Sequence, residues 1–280
     1  MPRSEMLLDA KLALRDGLNK VNPAVSIDPK GYVTDWRDNL LPGSLSPELE
    51  QDFRRGKGNE LDGKFRAAHS SAALAANAFG PFRTNQSTFT VPGVGDLRLL
   101  QFEKSMPTGL AGRTPPHLDA LAEVDGKPVG IESKCLEYFS RTVAEFSEQY
   151  RELENCRATS WFAEMERLRA NPKDYAYLDA AQLIKHAFGM TNVIAGRAIL
   201  LYIFWEPLDA AYHEMFRLHR AEIERFGANV AGDAIKFKAI SYPELWTLWS
   251  AAADPTLRSH GQLLARRYGG NLGSHEGYIR

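Results

Sequence analysis

"PPHLDALAEVDGKPVGIESKC", residues 115–135, reads as two short apolar strands flanking Asp125-Gly126. That dipeptide suits a two-residue hairpin turn, because both central residues of a type I′ turn need positive φ. Counting outward from it sets Asp119 across from Glu132 and His117 across from Lys134. Strand side chains alternate between faces, so Glu132 and Lys134 point the same way and Asp119 joins them. Leu118, Ala120, Ala122, Val124, Val129, Ile131 and Cys135 are expected on the other face, a continuous apolar surface for helices to cover.

Two carboxylates opposed across a ladder, with Cα atoms roughly 4.5–5.5 Å apart, repel and weaken the sheet. A divalent cation reverses the sign of that interaction, since Mg²⁺ prefers one or two carboxylates completed by water and phosphate oxygens. Lys134 aims its ammonium at the same spot. There it can stabilise a developing phosphorane, or orient a water and help deprotonate it. The alternative is a hairpin with a solvated face. Against it, Val129 to Cys135 is apolar enough for a central strand, whose two faces are both normally buried.

Outward from the hairpin, helical and strand patterns alternate. Residues 4 to 20 form an amphipathic helical pattern, followed by a turn-rich stretch from Asn22 to Pro47. A helix is expected from about Pro47 to Arg55, where Ser46 supplies a capping side chain. The alanine-rich segment Glu60 to Gly80 reads as one helix despite Gly63, and Leu97 to Met106 as a strand. After the hairpin, residues 140–154, 160–170 and 177–190 read as helical. A buried strand follows in "RAILLYIFWEP", then a long helix over 209–227, a strand in "DAIKFKAISY" and a final helix in "LRSHGQLLARRYGG". This order predicts an α/β or α+β fold, a mixed central sheet flanked by helices. No linker divides the 280 residues, so a single domain is expected.

With 34 basic and 35 acidic residues, no global field announces nucleic acid or membrane, so any polyanion site must be local. The amino terminus lacks the apolar core of a signal peptide, and Ala198 to Phe204 is too short to span a bilayer; a cytoplasmic protein is expected. Two cysteines cannot form a zinc cluster by themselves. HExxH, Walker A, CxxC and GxSxG motifs are all missing, which removes the commonest zinc-protease, NTPase, redox and α/β-hydrolase signatures. His69, Ser70, His213 and His219 read as structural, with no acid partner in view for a dyad.

"PHLD" and "IESK", with their helix-strand-hairpin-helix-strand context, resemble the PD-(D/E)XK nuclease superfamily over roughly residues 55–207. Leucine rather than proline precedes Asp119. More closely, "FEKSMPTGLAGRTPPHLDAL" and "GIESKCLEYFS" resemble a group of bacterial restriction endonucleases. The resemblance implies a restriction-endonuclease-like core within a 1–280 domain that carries N-terminal helical and C-terminal extensions. It implies a Mg²⁺-dependent endodeoxyribonuclease, with Mn²⁺ as a substitute, in which Asp119, Glu132 and Lys134 do the chemistry and Asp119 and Glu132 hold the metal. A further glutamate on the first core helix often completes the metal shell in that superfamily. Glu60 matches that place and Glu103 is its rival. A Gln or Lys on the helix after the hairpin contacts substrate in some members, a place filled here by Gln182, Lys185 and His186. Arg54, Arg55 and Lys57, which flank Glu60, suit phosphate tracking. Restriction of DNA is the expected biology, with a homodimer and a neighbouring methyltransferase by analogy. A repair or recombination nuclease, or a silent nucleic-acid-binding protein of the same fold, is the alternative.

Overall fold

The computed structural model describes residues 2–56, 60–83, 87–112, 114–140, 143–154 and 156–273. In chain order the elements are α1 (Arg3–Val21), α2 (Pro47–Arg55), α3 (Ser71–Phe79), β1 (Thr88–Val91), β2 (Gly95–Ser105), β3 (His117–Val124), β4 (Lys127–Lys134), α4 (Thr159–Ala170), α5 (Ala180–Val193), β5 (Ala198–Phe204), α6 (Glu214–Asn229), β6 (Ile235–Ser241), α7 (Tyr242–Ser250) and α8 (Pro255–Tyr268). The strands form one mixed sheet in sequence order, antiparallel from β1 to β4 and parallel from β4 to β6. It is the mixed α/β arrangement expected, although the sheet runs past residue 207 into β6.

The hairpin register is the one counted from the turn. Asp125 and Gly126 take φ of 47° and 71°, and Ala120 pairs with Ile131, Ala122 with Val129 and Val124 with Lys127. Ala120, Ala122, Val124, Val129, Ile131 and Cys135 are buried in one apolar cluster with α3 and α7. Leu118 departs from that face. It joins the cluster on the opposite side with Met106 and Met190. There its methyls stand 2.7 and 3.1 Å from where a Cβ on Gly130 would be, so Gly130 is the hole that admits Leu118. The alternation breaks where the paired ladder ends, next to Asp119.

Three expectations of local structure fail. The alanine-rich stretch is α-helical only as α3, after a 3₁₀ turn at Lys64–Arg66, because Ser70 caps α3 by accepting from the Ala73 N–H and Ala67 is drawn into a bridge with Tyr32. The helix expected over 140–154 is not formed in its described part: Glu148–Leu153 is a 3₁₀ turn and 143–147 has no regular structure. The long helix starts at Glu214, after a 3₁₀ turn at Ala210–Tyr212. β1 and α7 were not anticipated. Among the described residues no helix is long and apolar enough to cross a membrane.

Candidate active site

β4 is central, with β3 on one side and β5 on the other, so its end delivers Glu132 and Lys134 into the interior. Beyond the Ala120–Ile131 pair, β3 and β4 no longer exchange main-chain bonds. Instead Asp119 Oδ2 accepts the Ser133 N–H at 2.6 Å, so a side chain stands in for a ladder acceptor. This fixes the Asp119 carboxylate beside the Glu132–Lys134 segment.

Glu132 is sealed in, and its two oxygens have different surroundings. Oε1 is 2.7 Å from Lys134 Nζ, and Oε2 is 2.9 Å from His186 Nε2. The His186 ring is not aimed along that second contact, so Glu132 Oε2 is a buried acceptor with no hydrogen-bond donor among the described residues. Lys134 Nζ also donates to Gln182 Oε1 at 2.8 Å. Gln182 and His186 are one turn apart on α5, so one helix face binds the lysine and packs against the glutamate. α5 comes this close because Gly189 meets Met106, whose carbonyl oxygen is 2.1 Å from the position of a Cβ on that glycine.

Charge is distributed unequally among these groups. Burial works to raise the Glu132 carboxyl, but Lys134 and His186 overcome it and hold the group at about 2. Burial, followed by the Glu132 charge, pushes Asp119 well above the usual carboxylate range. The neighbouring acids thus share less than two full charges, as like charges in one site do. Against its burial, Lys134 is held firmly protonated by Glu132, then Glu137 and Asp119.

Asp119 and Lys134 line a cleft of about 540 Å³. Glu60 and Glu103 line it too, so the structure brings both rivals to the site rather than choosing between them. Glu60 lies in a turn before α3, not on a helix. Glu103 sits on β2 past a bulge between Leu99 and Gln101, with φ of 50°, a left-handed conformation that costs a non-glycine residue energy. Burial, then Glu60 and Glu132, raise its carboxyl to about 7. A Cβ on Gly56 would lie 3.2 Å from Glu103 Oε2, so the end of α2 approaches the site. Of the basic group there, Arg55 is exposed, Arg54 is clamped to Glu50, and Lys57 lies outside the described residues.

Gln182, expected to contact substrate, lines the cleft from α5. Lys185 does not, because it packs over the Phe146 ring and lines a different cleft. His186, placed by the sequence beside Gln182 and Lys185 as a substrate contact, is instead buried against Glu132. His219 is structural, stacked on Tyr138 and bonded to the Tyr202 hydroxyl. His213 pairs with Asp209 at the head of α6, and Ser70 caps α3. His69, by contrast, lines the cleft, and burial and Lys11 pull its pKa down to about 4.

Among the described residues no three His, Cys, Asp or Glu side chains converge as a ready-made metal cluster. Asp119 and Glu132 offer hard oxygen donors, and the donorless Glu132 Oε2 is an acceptor that lacks a positive partner of good geometry. That pair suits an ion that takes one or two carboxylates and keeps its remaining ligands as water or phosphate oxygen.

Residues 13–269 match the model of a family described as "Restriction Endonuclease associating with ARP". No curated protein and no solved structure matches the chain. The chain belongs to this restriction-endonuclease family.

Proposed function

From that membership as premise, we propose that the chain is a Mg²⁺-dependent endonuclease that hydrolyses phosphodiester bonds of DNA, with restriction as its role. The observation that carries the reading is the convergence of Asp119, Glu132 and Lys134 at one end of the hairpin, where β3 and β4 part. Asp119 and Glu132 would hold the ion, with Glu103 or Glu60 near enough in the cleft to assist through water. When bound, a divalent ion supplies Lewis-acid stabilisation of phosphate oxygens and acidifies water.

The chain's own groups do the remainder. Ser133 N–H fixes the Asp119 carboxylate, and the buried His186 ring lies 2.9 Å from Glu132 Oε2 on the α5 side. Gln182 turns the Lys134 ammonium toward the cleft, where it is positive charge available to a pentacoordinate phosphorus. In its present surroundings Lys134 keeps its proton, so it acts first as a charge stabiliser. It can serve as a base only once the acids around it are neutralised. Arg55, exposed and next in sequence to Gly56, which approaches Glu103, would be a further phosphate contact.

The test is cleavage of unmethylated plasmid with Mg²⁺ by the full chain, its Asp119→Asn variant and its Lys134→Ala variant. Defined fragments from the wild type alone support the reading. Intact plasmid with all three, under conditions where DNA is bound, refutes it. Preference for flaps or junctions over duplex refutes the restriction role and keeps the chemistry.

A further inference from the structure

A second groove, of about 370 Å³, opens beside the Asp119 cleft and shares Lys11, Tyr32 and His69 with it. Leu8, Lys11, Leu12 and Arg15 line one wall, at the spacing that puts them on one face of α1. The other wall is the turn Pro29 to Tyr32. Lys64 faces the acidic cleft itself, so cations run from the acids outward: Lys64, Lys11, then Arg15 and Lys30. Among the described residues no carboxylate forms an ion pair with any of these four.

Lysines without an acidic partner stand elsewhere among them too, Lys127, Lys236 and Lys238 included, but these four cations are gathered along one groove and the acidic cleft it opens into. In the larger cleft, of about 1140 Å³, Arg151 and Arg169 are both engaged by Glu148 and Glu166, so their charge is already answered. The α1 groove also has a fixed shape. Asp28 spends its carboxylate on the Lys30 and Tyr32 N–H groups at 2.9 and 2.8 Å, which closes the turn that carries Lys30. The Gly31 carbonyl accepts the Ala68 N–H at 2.8 Å, which ties the turn to the segment that carries His69. Burial and Lys11 keep His69 uncharged, so the imidazole adds no cation of its own.

We propose that this groove binds the DNA backbone where it leaves the cleft, with Lys11, Arg15 and Lys30 as its phosphate contacts. This rests on the nuclease reading above and names where its substrate runs. Lysine and arginine side chains without acidic partners on a pre-shaped wall suit a polyanion of repeating phosphates. Such contacts position a duplex and carry no base specificity.

The test is binding of a fluorescein-labelled DNA duplex by the full chain, followed by anisotropy with Ca²⁺ in place of Mg²⁺ over a range of salt. The Lys11→Ala/Arg15→Ala/Lys30→Ala variant is expected to flatten the plot of log affinity against log salt by roughly 2 to 3, at about 0.9 per phosphate contact. Lys30→Ala alone, which leaves every backbone bond of its turn in place, is expected to flatten it by about 0.9. A control with equal charge removed elsewhere, Lys127→Ala/Lys236→Ala/Lys238→Ala, is expected to keep the wild-type slope. Wild-type affinity and slope in the groove variant, or an equal loss in the control, overturns the proposal. The outcomes also separate the two readings. If the wild type cuts DNA while the groove variants bind as it does, the groove alone fails. If the wild type binds with the expected slopes and does not cut, the nuclease reading alone fails. If it binds no DNA at any salt, both fail.

Discussion

Replacing Lys134 with Met keeps an aliphatic stem of similar length and removes the ammonium 2.7 Å from Glu132 Oε1. The Glu132 side chain is only 2% exposed, so water cannot replace the lost partner. Removing one member of a buried pair costs about 3–5 kcal/mol, because the other charge stays buried without compensation. His186 remains 2.9 Å from Oε2, which puts the expected cost near the lower end, at about 3 kcal/mol. At about 2–3 °C per kcal/mol for a chain of this size, the melting temperature should fall by roughly 6–9 °C. In Glu132→Gln/Lys134→Met both charges are gone, and neutral replacements of a buried pair are often close to neutral in stability. The double variant should therefore melt above the Lys134→Met single variant. The pH dependence has a definite sign. Glu132 sits at about 2 in the fold against an ordinary 4.5, so its contribution is present above 4.5 and is lost as pH falls toward 2. Without Lys134 that loss should begin at higher pH. Thermal unfolding of wild type, both singles and the double between pH 3 and 8 measures all of this. A Lys134→Met protein that melts within a degree of wild type, or a double variant less stable than either single, refutes the argument.

Glu103 gives the opposite sign. Its carboxyl is raised to about 7, so the folded state favours the protonated form, and stability should decline as pH rises from 4.5 through 7. Glu103→Gln should remove that decline and raise stability at pH 8 by about 1–2 kcal/mol, as read by urea unfolding at two pH values. If a cation sits among these acids, Mg²⁺ should raise the melting temperature of the wild type more at pH 8 than at pH 6. Asp119→Asn should abolish that increment, which calorimetric scans with and without EDTA can check. If Glu132 holds the proposed ion, His186→Ala, which removes the ring 2.9 Å from Glu132 Oε2, should raise the Mg²⁺ concentration needed for cleavage by about 10–100-fold while circular dichroism stays native. Gly189→Ala should destabilise the chain by about 1–3 kcal/mol or more, because the new methyl collides with the Met106 carbonyl and pushes α5 off the sheet.

Local chemistry made the hairpin legible. Asp125-Gly126 could adopt few turns, and the register it set is the register observed. What the alternation could not show is that pairing stops short of Asp119, because that depends on the Ser133 N–H turning to a carboxylate. Glu60 to Gly80 misled because alanine favours helix wherever nothing competes; the competitor, a bridge from Ala67 to Tyr32, is distant in sequence. The helix α7 carried a readable signal in Ser241 and Glu244, a capping box that the structure forms in full. His186 had no such signal. Its spacing from Gln182 was visible, but only the fold says that the face they share is turned inward, onto Glu132.

Arg267 on α8 is wholly buried and donates to the carbonyls of Leu14 and Ala68 and to Asn39 Oδ1. Leu14 belongs to α1, and Ala68 precedes His69, so the guanidinium pins together two segments that wall the cleft and its basic groove. α8 leaves the ribosome after every other element described here. A nascent chain therefore carries Asp119, Glu132 and Lys134 before the wall against which we propose DNA is held has become firm. Cutting competence should arrive in a single late step, at the moment Arg267 docks.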